Sequence, residues 1–281
     1  MKRSCTGRRA TAVRRAWLCA ALVTAVPFPG GSVAAEDANA IVHLTVEQAR
    51  TLAAGKSVQL RHLSTISPEA ASALAACKGE LSLGGLTTLG PEVAGALEGY
   101  QGRMLSLNGL SALTPAEAER LAKCRARTLM LNGLKELPAE VAKPLASFKG
   151  TLILGGLTEI DAEAAEPLAA RKEKVWLMSL QSLPSVGIAR KVMECESEVG
   201  VILPPITAFT APDSVAIARY LAATDGPLEL PKLRKISPKT LSALLEKRAL
   251  RIPPIETLEL IKEPDGSRTE DFIVPEWFEQ R

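Results

Sequence analysis

The chain has 281 residues, with 34 Lys and Arg against 31 Asp and Glu and a formal charge of +3. Hydrophobic residues form 47% of it and aromatics 4%, which excludes a disordered or collagen-like chain and leaves little for stacking on nucleic acid. The positive sign is local: residues 1–35 hold six basic residues and no acidic one, so the remainder carries 28 bases against 31 acids, a charge of −3.

A basic stretch leads into the uncharged run from Ala16 to Phe28, 13 residues long. That is the length of a secretory apolar region and too short to span a bilayer. Pro27, Pro29, Gly30 and Gly31 end it, and Val33-Ala34-Ala35 places small residues where cleavage before Glu36 needs them. Residues 1–35 read as a removable export signal, and the chain as secreted or periplasmic. Arg14-Arg15 in front of Ala16-Trp17-Leu18 leaves the route open, general or twin-arginine. No later apolar run is long enough for a membrane span.

Beyond residue 57 the sequence repeats itself. Leu81-Ser82-Leu83-Gly84-Gly85-Leu86, Leu105-Ser106-Leu107-Asn108-Gly109-Leu110, Leu129-Met130-Leu131-Asn132-Gly133-Leu134 and Leu152-Ile153-Leu154-Gly155-Gly156-Leu157 are the clearest copies, with weaker ones from Val58, Val175, Val201, Leu228 and Leu250. Successive starts are 23, 24, 24, 23, 23, 26, 27 and 22 residues apart. Alternation over Leu-x-Leu predicts a short strand, and the segment after the glycine predicts a helix. Ser67-Pro68-Glu69 supplies a cap, an N1 proline and an acid, Thr114-Pro115-Ala116-Glu117 has the capping-box spacing, and Asp161-Ala162-Glu163 caps without proline. Ala71/Leu74, Ala94/Leu97, Ala118/Leu121, Val141/Leu145 and Ala165/Leu168 form a narrow inward stripe. One such unit cannot bury its own apolar face, whereas a stack can.

This pattern, over residues 41–261, resembles the leucine-rich-repeat class in an atypical, bacterial-looking form. The resemblance implies an α/β fold, a right-handed leucine-rich-repeat-like solenoid with short parallel strands on one face and helices on the other. The family's usual turn Asn is replaced by Leu63, Leu86, Leu110, Leu134, Leu157 and Leu180. The turn is then expected to close through positive φ at Gly85, Gly109, Gly133 and Gly156.

The chain divides into a signal peptide (1–35), an N-terminal cap (36–57), the repeat solenoid (58–261) and a C-terminal tail or cap (262–281). The solenoid reads as continuous despite the break at Pro184. The apolar knot from Phe272 to Phe278 either covers the last repeat or docks elsewhere.

Chemistry is hard to place on this chain. Cys77 and Cys124 share one offset with Tyr100 and Phe148 and should face the core. Two repeats separate them by roughly 9.5 Å at strand spacing, beyond the about 7 Å a disulfide allows. His43 and His62 fit no zinc pattern, Gly84-Gly85 and Gly155-Gly156 recur with the repeat and are no phosphate loop, and Cys195 has no C-x-x-C partner. The row Glu69, Glu92, Glu117, Glu140 and Glu163 fits the positive ends of helices. No catalytic residue, metal site or cofactor site is expected, and the chain is read as a non-enzyme.

One surface departs from the repeat. The middle residue of each Leu-x-Leu faces outward, giving Gln59, Ser82, Ser106, Met130, Ile153, Trp176, Ile202, Glu229 and Arg251. Met130, Ile153, Trp176 and Ile202 are consecutive and apolar, with Asn132 and Met178 beside them. A contiguous apolar patch inside a polar rim marks a protein or peptide site, a contact covered by the chain's own tail, or a homodimer contact. A protein or peptide partner is the preferred reading and a self-associating envelope protein the alternative. With the functional chain at −3, nucleic acid and an anionic membrane are not expected as partners.

Overall fold

In the computed structural model residues 43–267 are described, apart from 195, 198, 199 and 202, with backbone alone at 196, 197, 200 and 201. Residues 1–42, Cys195, Ile202 and the knot from Phe272 to Phe278 lie outside the described residues.

The elements alternate: α1 (Val46–Ala53), β1 (Ser57–Gln59), α2 (Pro68–Leu74), β2 (Glu80–Ser82), α3 (Pro91–Leu97), β3 (Met104–Ser106), α4 (Pro115–Lys123), β4 (Thr128–Met130), α5 (Ala139–Ala146), β5 (Thr151–Ile153), α6 (Ala162–Ala169) and β6 (Val175–Trp176). Strands β1 to β6 form one sheet in sequence order, each parallel to the next. The register aligns Val58, Leu81, Leu105, Leu129, Leu152 and Val175, the first inward residue of each unit. With Leu60, Leu83, Leu107, Leu131 and Leu154 they form two buried layers.

The helices close the other side of that core. The alanine and leucine stripe is buried throughout, and small alanines let adjacent helices pack closely. Ser67 accepts from the Ala70 amide at 3.2 Å. Thr114 and Glu117 complete a capping box, with contacts of 2.8 and 3.3 Å. Asp161 holds the N-cap of α6 but makes no side-chain cap bond. Thr45 caps α1 in the same two-way manner as Thr114.

The glycines in the turns behave differently from the expectation. Positive φ occurs, among the described residues, at Gly226 and Gly266 and not at Gly85, Gly109, Gly133 or Gly156. What these four positions exclude is a side chain. A Cβ on Gly133 would lie 2.3 Å from both the Asn108 and Leu110 carbonyl oxygens, and one on Gly156 2.0 Å from the Asn132 oxygen. Each turn rests directly on the turn before it.

The sheet ends at β6. The unit expected from Val201 does not add a seventh parallel strand; β7 (Glu196–Ser197) and β8 (Gly200–Val201) pair antiparallel with each other. Stacking continues through α7 (Val186–Met193), α8 (Ser214–Ala223) and α9 (Pro238–Leu245), beside two parallel pairs. These are β9 (Leu228–Glu229) with β11 (Leu250–Arg251), and β10 (Lys235–Ile236) with β12 (Glu259–Leu260). A second line of backbone bonds, on the far side of the turns, crosses the break: Gln181 donates to Thr158, Thr207 to Gln181, Lys235 to Thr207 and Glu259 to Arg234. Past β12 the Glu263 carboxylate accepts from the Lys239 amide at 3.0 Å, at the start of the last helix. Among the described residues no helix is long and apolar enough to cross a membrane.

Gly133→Ala should therefore lower stability by about 2–3 kcal/mol, because the backbone on which it rests cannot move alone. Gly90, which has open space around its Cβ position, should cost under about 1 kcal/mol as Ala. Urea unfolding of the two variants measures the difference.

Candidate functional site

Strands β1 to β5 begin one residue before the Leu-x-Leu or Val-x-Leu, so each of these repeats presents two outward positions rather than one. The first row is Ser57, Glu80, Met104, Thr128 and Thr151. The second is Gln59, Ser82, Ser106, Met130, Ile153 and Trp176, with Met130 aligned to Ile153 and Ile153 to Trp176. All three of these apolar side chains are half-buried in an open row, and Met178 just beyond β6 is 48% exposed. Met104 joins them, diagonal to Met130. The sequence reading omitted it because the strand was started at the leucine. Ser106 is buried beside the longer Met130.

Asn132 is occupied in holding repeats together. Its Oδ1 accepts from the Gly155 amide at 2.8 Å, and its own amide donates to Asn108 Oδ1 at 3.1 Å. Ser179 Oγ extends the line by donating to the Gly155 carbonyl at 2.6 Å. Asn108 and Asn132 sit two places, and Ser179 one place, before the leucines that replace the usual turn asparagine, and they tie one turn to the next. Ile202, the fourth apolar residue of the expected row, is outside the described residues. At the other end Glu229 and Arg251 form an ion pair of 2.9 Å on the paired strands β9 and β11.

A second line of chemistry runs inside. Cys77, Tyr100, Cys124, Phe148 and Arg171 occupy one buried column between the helix ends and the following strands. Both thiols are free, and burial pushes the Cys124 thiol up, away from the reactive thiolate. Tyr100 Oη lies 2.6 Å from the Gly79 oxygen and 2.7 Å from the Met104 oxygen. Arg171 was not singled out in the sequence, yet it is 5% exposed. Its Nη1 donates to the Leu145 and Ala146 carbonyls at 2.9 and 3.0 Å, and its Nη2 to Gly150 at 2.7 Å. Burial lowers its pKa, opposed by the nearby Glu173. Lys247 repeats the device on α8, donating to the Ala222 and Thr224 carbonyls. The Leu145 carbonyl also accepts from the Phe148 amide at 3.2 Å. The last carbonyls of a helix lose their i+4 partners, and a buried cation adds donors to them. Its recurrence at the Cys77 offset was the available signal.

His43 and His62 are exposed, and among the described residues no group of three or more His, Cys, Asp or Glu could hold a metal ion. What the register builds is an aligned parallel sheet with leucine layers on one side and helices behind them. The chain folds as a leucine-rich-repeat-like solenoid.

No protein-family model and no curated protein matches the sequence. Among solved structures, a chain of the Drosophila Toll–Spatzle complex is 13% identical with a TM-score of 0.43, over 75% of this chain and 34% of that one. A leucine-rich-repeat protein of Leptospira interrogans is 17% identical with a TM-score of 0.29, over 79% of this chain and 77% of that one. The solenoid thus spans about a third of the Toll-complex chain it matches.

Two measurements test the internal column. Arg171→Leu removes the side-chain donor from the Ala146 and Gly150 carbonyls, and from Leu145, which keeps the Phe148 amide, and should cost about 3 kcal/mol in thermal or urea unfolding. Burial pushes the Tyr100 phenol up to about 12. An unfolded tyrosine ionises near pH 10, so the folded state holds this proton more tightly. Its contribution is complete below about pH 10 and lost as pH rises through about 12. Tyr100→Phe should be less stable at neutral pH and show a flatter decline between those two limits.

Proposed function

We propose that the chain is an exported, non-catalytic repeat scaffold that binds a protein or peptide partner through the outward face of its regular sheet. The observation that carries this reading is the in-register row Met130, Ile153 and Trp176, flanked by Met104 and the exposed Met178. Large apolar side chains on an open sheet gain by being covered, and Trp and Met supply much area at a contact. The polar flanks Gln59 and Ser82 at one end, and the Glu229–Arg251 pair at the other, give the patch a limit. Export is supported by the basic and apolar composition of residues 1–35.

The experiment is capture of partners from a cell-envelope extract by the 36–281 chain and by its Met130→Ser/Trp176→Ala variant. The variant should keep its circular dichroism and lose the partners, which mass spectrometry identifies. Unchanged capture would sink the proposal. Sedimentation of the purified chain separates the self-association alternative: a dimer that the same two substitutions dissociate means that a second copy covers the row.

A further inference from the structure

We infer that the edge of the solenoid where helices lead into strands is a binding track for a linear acidic polysaccharide, distinct from the sheet face. The turns before β1 to β6 carry Lys56, Lys78, Arg103, Arg125, Arg127, Lys149, Lys172 and Lys174, all exposed. None of the eight makes a side-chain hydrogen bond or ion pair among the described residues. The acids in or next to these turns are Glu80, Glu98 and Glu173, all half-buried, and Glu98 is paired with Arg120 at 3.0 Å.

The cations follow the backbone register. Lys56, Gly79, Arg103, Arg127 and Gly150 each precede an aligned strand start. Where that row has Gly79 and Gly150, the residue one place earlier is Lys78 and Lys149. Every turn therefore offers positive charge, at the strand spacing of about 4.8 Å, along roughly 24 Å of edge. At the N-terminal end Arg50, Lys56, Lys78 and Arg103 line a recess of about 870 Å³ whose other walls are alanine and glycine. No acidic residue lines it.

Helix dipoles do not account for the row. Their effect fades within the last turn, while Arg103, Arg127 and Lys174 lie four to six residues past the ends of α3, α4 and α6. The track stops with the regular sheet: after α7 the sequence continues Glu194-Cys195-Glu196, with no basic residue.

The spacing selects the ligand. A rigid array of like charges at one fixed interval matches a polymer whose anionic groups also recur at one interval, as uronate or sulfated sugar chains do. A globular protein surface of mixed charge does not present charge in that way. Single-stranded nucleic acid needs aromatic platforms, and Tyr100 and Phe148 beside this edge are buried in the core.

The test uses the 36–281 chain at low salt with dextran sulfate, polygalacturonate and uncharged dextran, read by calorimetry. Binding to one or both acidic chains, none to dextran, and a steep loss with added salt are expected. Sulfate and carboxylate arms identify the anion. Arg103→Gln/Arg127→Gln/Lys149→Gln should weaken binding by about tenfold or more. Lys135→Gln/Arg219→Gln/Lys262→Gln, which removes equal charge elsewhere, should leave it within about twofold. Equal losses in the two variants overturn the proposal, as does the absence of binding to both acidic polysaccharides when polyglutamate or phosphatidylglycerol vesicles, titrated alongside them, do bind. The sheet-face variant Met130→Ser/Trp176→Ala should bind polysaccharide normally, so this track and the protein site fail or stand separately.

Discussion

Backbone packs directly on backbone at glycines that lie on both sides of β2, β3 and β5 and after β4. A Cβ on Gly79 would lie 1.5 Å from the Lys56 oxygen, and one on Gly109 would lie 2.4 Å from the Gly84 oxygen. Strands of three residues or fewer form few ladder bonds, so pairing alone sets register weakly. The glycine contacts clamp β2, β3 and β5 at entry and exit and β4 at its exit, and the leucine layers then align. Every outward row, apolar or charged, inherits its regularity from that fit.

The buried column behind the strands shows how much variety the same clamp tolerates. The site must fill a gap and satisfy helix-end carbonyls together. Phe148 fills without bonding, and Tyr100 fills and donates. Arg171 donates three times and lies 6.0 Å over the Phe148 ring. Cys77 does least, with its sulfur 3.8 Å from the Gly55 oxygen. This position serves cohesion, and its most unusual residues are explained by carbonyls they satisfy rather than by any ligand.

The period, the strand and helix order, the caps at Ser67 and Thr114 and the outward side of Met130, Ile153 and Trp176 could all be read from residue types, because each depends on local pattern. Two features could not. The role of the turn glycines depends on the distance to another repeat, which composition does not contain, so the local explanation of positive φ was the wrong one. The end of the sheet after Trp176 was equally hidden. Val201 keeps the repeat's apolar signature, but the lengthened connection after Pro184 lets Glu196–Ser197 pair with it instead. Met104 fell between these cases, visible to the same alternation once the strand is begun one residue earlier.

Net charge hid the remaining feature by addition. The value of −3 outside the signal segment includes two edges of opposite sign. Exposed Glu69, Glu92, Glu136, Glu140, Glu159 and Glu163 lie at the helix starts, and the unpaired cations from Lys56 to Lys174 lie at the other edge. A helix of eight residues such as α5 holds the two edges about 12 Å apart. Screening at physiological salt acts over about 8 Å, so a partner at one edge feels that edge and little of the other. The near-neutral total therefore excludes an anionic partner only for a chain whose charges are mixed, and here the repeat sorts them.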